Sequence, residues 1–133
     1  MRQVVTTRNG GVEVLEVQTA PDPQPGRGEV VVDVRAAGLN FADILARQGL
    51  YPDGPKKPCV MGYEVSGTVA AAGEGVDQSL IGKPVIAMTR FGGQAELLAV
   101  FGCSRSVIAL LKHRLRCSHW VIPQTQTLPE QLT

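Results

Sequence analysis

Short apolar runs recur along the first hundred residues between clusters of turn-forming residues. QVVTT opens the chain, VEVLEV follows Asn9-Gly10-Gly11, and EVVVDVRAAG follows the Pro- and Gly-rich APDPQPGRG. VSGTVAAAG, KPVIAM and QAELLAV continue the series. Runs this short, rich in Val and punctuated by Gly and Pro, predict a mainly β domain. In the third run Val30, Val32 and Val34 alternate with Val31, Asp33 and Arg35, which predicts one buried face and one mostly exposed face. Asn9-Gly10-Gly11 predicts a tight hairpin, because glycine reaches positive φ without steric cost. Gly73-Glu74-Gly75 predicts a turn between two further strands.

One stretch changes period. From Phe41 to Gln48 the spacing predicts a short helix, with Asn40 as N-cap, Asp43 three residues further on and Gly49 as the left-handed stop. Asp43 also suits the positive end of the helix dipole. Phe41, Ile44 and Leu45, with Gln48 at the edge, fall on one face at helical spacing, and the three apolar residues are expected to pack into the core.

At 133 residues the chain suits one compact domain with its own core. Thirteen Lys and Arg nearly balance twelve Asp and Glu, so no global field points to nucleic acid or to an anionic membrane. No apolar run reaches the roughly 20 residues that span a bilayer, and the N-terminus lacks the apolar core of a secretory signal. A soluble cytoplasmic protein is expected. Cys59, Cys103 and Cys117 are odd in number and widely spaced, which fits reduced thiols better than a disulfide framework. All 15 glycines lie at or before Gly102, while both histidines and the only tryptophan lie after it. Up to Val100 the charges are nine basic and eleven acidic; from Phe101 onward they are four basic and one acidic. Residues 1–110 therefore read as the domain, in which SVIAL is a last plausible strand, and residues 111–133 as a divergent, partly disordered tail.

Candidate chemistry gathers around the helix. Asn40 sits at a strand-to-helix corner, where side chains commonly face a cleft, although an N-cap role alone accounts for its residue type. Tyr51 follows the helix stop and precedes Pro52; its phenol can donate to a carbonyl, or its ring can serve as an aromatic lid over the core. Glu64, in Gly62-Tyr63-Glu64, lies in an otherwise apolar segment and needs a partner. Zinc requires three or four converging ligands, which isolated cysteines and two histidines in the tail do not offer. Gly73-x-Gly75 has Gln78 at the third glycine's place, so no dinucleotide fingerprint is present. The basic cluster from Lys112 to His119 reads as a solvated face.

With these residues in view, the chain resembles the N-terminal GroES-like domain of the medium-chain dehydrogenase/reductase superfamily. Within it the similarity is to the zinc-independent quinone oxidoreductase branch, near the vesicle amine transport protein homologues. The resemblance runs from Met1 to about Leu110 and rests on EVVVDVRAAGLNFAD, ARQGLYPDGPKKPCVMGYEVSGTV, the Gly73 to Val76 turn, IGKPVIAM and FGGQAE. It implies a partly open β-barrel of the alcohol dehydrogenase N-terminal type, with no Rossmann domain among these residues. The zinc-dependent members carry a Cys-His pair where this chain has Asn40-Phe41, and Gly-His-Glu where it has Gly62-Tyr63-Glu64. No zinc is expected, therefore.

The resemblance implies hydride transfer from NADPH to a quinone or an activated alkene such as an enone. It carries Asn40 and Tyr51 over as catalytic positions and Asn40 as a cofactor contact. Many quinone oxidoreductases have a further Tyr where this chain has Leu45. Resemblance is lost at the change of composition, so the expectation is a catalytic-domain half, truncated before its cofactor-binding domain and inactive alone. The alternative is a non-catalytic GroES-like module that binds a protein partner, or a second copy in a homodimer, through a face the missing domain would cover.

Overall fold

The computed structural model describes residues 1–102, 107–110 and 122–123. Two antiparallel sheets form the architecture, joined by backbone hydrogen bonds. In the smaller sheet β1 (Arg2–Thr6) lies between β2 (Leu15–Thr19) and β4 (Cys59–Val60). The larger has the order β7-β3-β5-β6-β8, built from β3 (Glu29–Ala37), β5 (Glu64–Ala72), β6 (Pro84–Met88), β7 (Leu97–Phe101) and β8 (Val107–Leu110). A two-residue strand, β9 (Ile122–Pro123), pairs with Ala36 and Ala37 at the end of β3. The one helix among the described residues, α1 (Phe41–Gln48), follows β3 directly. The predicted mainly β fold with a short helix is thus present, and among the described residues the larger sheet does not close on itself.

The core follows from the alternation along the central strands. Val30, Val32 and Val34 of β3 pack with Val65 and Val69 of β5, Val85 of β6 and Leu98 and Val100 of β7. Arg35 stands exposed as expected, while Val31 is buried as well, outside this cluster. Two register shifts interrupt the β3–β5 ladder, between Val31 and Val32 and between Val34 and Ala36. At Gly67 the backbones come so close that a Cβ would meet the Asp33 carbonyl oxygen, so this position requires glycine.

Two expectations fail in this part. VEVLEV is not one strand: Val12–Val14 form a single 3-10 turn that buries Val14, and β2 begins only at Leu15. The hairpin joining β1 to β2 is consequently not tight. Thr6 pairs with Leu15, the intervening loop spans residues 7–14, and neither Gly10 nor Gly11 takes positive φ. Gly10 N–H donates to the Arg47 carbonyl oxygen at 3.1 Å and Arg47 Nη1 to the Gly10 carbonyl at 2.8 Å, so the loop spends its backbone on the end of α1.

The two sheets are joined at FGGQAE. Gly92, Gly93 and Gln94 donate in succession to the carbonyls of Val60, Gly62 and Met61, while Val4 N–H donates to Gln94 O. Gly62 has φ 102°, and a Cβ there would lie 2.8 Å from Gln94 N and 2.9 Å from Gly93 Cα. Two backbones touch here with no side chain between them.

Candidate functional site

The corner between β3 and α1 is held by Asp43. Its Oδ2 accepts from the Asn40 backbone N–H at 2.8 Å, and its Oδ1 from the Gly62 N–H at 3.0 Å. In return the Asp43 N–H donates to the Asn40 carbonyl at 3.0 Å. One carboxylate therefore closes the first turn of α1 and ties it to the strand segment entering β5. Asp43 is only 5 % exposed, and burial pushes its carboxyl above the usual carboxylate range, although the two N–H donors pull the other way. Gly49 ends the helix at φ 79°, donating to Ala46 O, as its left-handed role required. Lys57 Nζ donates to the Ala46 carbonyl at 3.0 Å, placing a cation at the negative end of the helix.

The helix does not bury the face that its spacing predicted. Its buried residues are Asp43 and Ala46, whereas Phe41 is 72 % exposed and Ile44 45 %. The physical reason lies in Asp43: to reach Gly62 N–H it must turn inward, which rotates Phe41 and Ile44 outward. Leu39 and Leu50 stand exposed just before and just after the helix. An apolar surface thus surrounds the corner.

Asn40 is the N-cap residue, extended at φ −109°. Its Nδ2 donates to Glu64 Oε1 at 3.3 Å, which supplies the partner that Glu64 was expected to need. Tyr51 packs edge-on against Tyr63, ring centroids 6.3 Å apart, and Tyr63 in turn lies 5.4 Å from Phe91. Asn40 and Tyr51 are each in contact with the Tyr63-Glu64 pair; no hydrogen bond among the described residues joins them directly. Leu45, which stands where many quinone oxidoreductases have a further tyrosine, is partly buried.

Two members of this cluster escaped the sequence reading. For Asp43 the sequence predicts a dipole effect, and only its spacing from Asn40 hints at the bond it makes. Tyr63 carries no signal in the sequence beyond its residue type; its hydroxyl oxygen is shut off from solvent and has no hydrogen-bond partner among the described residues. Its phenol is pushed above the usual tyrosine range, by burial first and by the neighbouring Tyr51 next. The remaining aromatic, Phe91, carries Arg90 over its ring at 5.8 Å.

Among the described residues no three His, Cys, Asp or Glu side chains gather as a metal set, and no helix is long and apolar enough to cross a membrane. A shallow cavity of about 490 Å³ lies elsewhere, between the sheets near Arg2, Asp22, Arg35 and Glu96. Its charges are already paired, Arg2 with Glu96 at 2.6 Å and Arg35 with Asp33 at 2.7 Å, so it offers no free recognition group of its own. The expectations for His113, His119, Cys103, Cys117 and the basic cluster lie outside the described residues.

Two open sheets, one capped corner helix and a glycine seam describe a known class. Residues 26–114 match the alcohol dehydrogenase GroES-like domain, and the chain belongs to that family, the N-terminal domain of the medium-chain dehydrogenase/reductase superfamily. Quinone oxidoreductases and alcohol dehydrogenases are both among the solved structures it resembles. The rat synaptic vesicle membrane protein VAT-1 homolog is 42% identical over 102 residues, covering 75% of this chain and 25% of the relative. The crystal structure of the human VAT-1 homolog-like protein superposes with a TM-score of 0.76 at 33% identity, covering 96% of this chain and 37% of that one. Escherichia coli quinone oxidoreductase, solved with NADPH, superposes at 0.70 with 29% identity, covering 76% and 31%. The chain spans about a quarter of the length of the curated relatives it matches.

Proposed function

We propose that residues 1–133 supply the substrate-facing wall of an NADPH-dependent reductase acting on quinones or activated alkenes, with Asn40 and Tyr51 as its positioning groups. The observation that carries this reading is the joint placement of Asn40 and Tyr51 against Tyr63-Glu64, beside an exposed apolar surface at the strand-to-helix corner. Planar apolar rings with carbonyl edges suit a wall of aromatic faces and a few fixed polar groups.

NADPH, when bound, would supply the hydride. The fit on this chain is confined to the nicotinamide end: Asn40, anchored by Glu64, presents a carboxamide at a half-buried corner. The segment entering α1 carries a single glycine, Gly38, and not the glycine-rich turn that cradles a pyrophosphate. Holding the rest of the dinucleotide therefore falls to a unit outside these residues, and residues 1–133 alone are expected to be inactive. This chain orients the acceptor, keeps water from its carbonyl and offers donors to the oxygen on which charge develops.

NADPH-dependent quinone consumption by the purified chain, and by a longer protein carrying the same residues with a dinucleotide-binding domain, tests the reading. Activity confined to the longer protein and lost with Asn40→Ala supports it. Full activity after that substitution would overturn the role of Asn40. No zinc requirement and a cytoplasmic site of action belong to the same proposal.

A second reading is favoured by one observation, the exposure of Phe41, Ile44, Leu39 and Leu50 around one corner. A face this apolar suits a protein partner or a second copy of the chain. Sedimentation across a concentration range tests it: a monomer throughout, with no partner retained by the wild-type face and lost with Phe41→Ser, would rule it out.

A further inference from the structure

A strand at the edge of a sheet carries a row of N–H and C=O groups without neighbours, and proteins normally blunt such an edge with Lys, Pro, a bulge or a covering segment. β2 is an edge of this kind, bonded among the described residues to β1 alone. Of β1 to β7 it is the only strand exposed at every residue. Its sequence, LEVQT, has neither Lys nor Pro, and its ladder with β1 runs without a register shift.

Which of its backbone groups are free follows from that ladder. Met1 and Ala20 exchange two bonds of 2.9 Å, and Thr7 N–H donates to Val14 O. Bonded pairs alternate along an antiparallel ladder, so Glu16 and Gln18 also turn their N–H and C=O toward β1, whereas Leu15, Val17 and Thr19 turn theirs outward. Leu15 N–H is taken by the Val12 carbonyl. The outward N–H groups of Val17 and Thr19 and the carbonyls of Leu15, Val17 and Thr19 face solvent.

We infer that β2 is a docking edge for β2 of a second copy of this chain, antiparallel about a two-fold axis at Val17. Register singles out that occupant. With Val17 opposite its own counterpart, Thr19 meets Leu15, and the outward groups make two bonds between the valines and two from Thr19 N–H to Leu15 C=O. Glu16 then faces Gln18, a carboxylate against an amide, and no like charges oppose; the same two groups already bond at 2.9 Å within one strand. On the other face Val17, 60 % exposed, lies beside Val4, so the axis joins two Val4-Val17 pairs into one apolar row. Neighbouring registers fail. Centring on Thr19 sets Val17 against Pro21, which has no N–H, and centring on Leu15 calls for the N–H already spent on Val12. This edge is separate from the corner around Asn40 and does not depend on the reductase reading.

The test is sedimentation equilibrium of the 133-residue chain from about 10 µM to about 1 mM, the range suited to so small an interface. Wild type should pass from monomer toward dimer. Val17→Lys, which sets two ammonium groups across the axis, should weaken association at least about tenfold with Tm unchanged. Amide hydrogen exchange supplies a second reading that needs no variant. The Val17 and Thr19 amides should exchange more slowly as concentration rises, while those of Glu16 and Gln18, already bonded to β1, should not respond. A monomer at about 1 mM would overturn the inference and leave the edge to a strand of another protein. A dimer that survives Val17→Lys and is lost with Phe41→Ser would overturn it too, by placing the contact at the corner. Should Val17→Lys fail to fold, the wild-type amides decide alone, and exchange at Val17 and Thr19 that ignores concentration would end the inference.

Discussion

The central sheet and the β3–α1 corner are built from neighbouring residues by opposite rules. In β3, β5 and β6 apolar side chains go inward and polar ones outward, and the register leaves room for little else. At the corner, α1 turns its carboxylate inward and its phenylalanine outward. Burying an ionisable group and exposing an aromatic one both run against the hydrophobic gradient. The sheet is organised for stability, and the corner is organised around the positions of Asn40 and of the strand segment entering β5.

That contrast can be broken from the sheet side first. Gly67→Ala places a Cβ against the Asp33 carbonyl oxygen, a backbone atom that cannot step aside without parting β3 from β5. The expected loss is several kcal/mol, enough to leave the chain unfolded at ordinary temperature by circular dichroism. Next comes the corner's own anchor. Asp43→Ala strands two buried N–H groups and should lower stability by about 3 kcal/mol in urea unfolding, a core-sized effect from a polar residue. Asp43→Asn keeps one acceptor and should cost less.

The same carboxylate gives the corner a pH signature. Because its pKa is raised on folding, the folded chain holds the proton more tightly than the unfolded chain does. Stability credited to Asp43 must then fall as pH rises from the ordinary Asp value through the raised one. Glu96, held below its usual range by hydrogen bonds from Arg2, contributes with the opposite sign, so wild type and Asp43→Asn must be compared. The wild-type advantage over Asp43→Asn should shrink with rising pH across that window; an advantage that grows would contradict the assignment.

Asn40→Ala removes the 3.3 Å bond to Glu64 and should cost about 1 kcal/mol of stability. Smallest of all is Phe41→Ser, expected within about 0.5 kcal/mol of wild type because the ring is 72 % exposed. A large loss there would mean that the apolar face of α1 is covered after all, and the contrast between the two regions would weaken.

Which parts were legible in advance follows the same division. Strand alternation at Val30, Val32 and Val34 reports a face that must be buried, so period alone sufficed. The helix limits were legible too, because Asn40 and Gly49 are local chemistry. The orientation of α1 was not, since helical spacing tells which residues share a face and not which face wins; that was decided by a bond from Asp43 to Gly62, nineteen residues away. The 3-10 turn at Val12–Val14 was missed for a similar reason. Its loop is shaped by bonds to Arg47, and an alternating VEVLEV carries no trace of them. At the site, Asn40 and Tyr51 stand out by their place around the helix, to which the resemblance adds a role, whereas the orphaned hydroxyl of Tyr63 exists only in three dimensions.

The glycine seam, where Gly62 meets Gly92 and Gly93, acts as a shim of zero thickness. Phe91 hangs from one side of it and Tyr63 from the other, so the gap between their rings is set by how closely two bare backbones can approach. A methyl group at Gly93 would sit 3.1 Å from the Gly62 carbonyl and from Val65. Adding it would move the two rings apart by a few tenths of an ångström without touching either one, loosening an aromatic contact from behind.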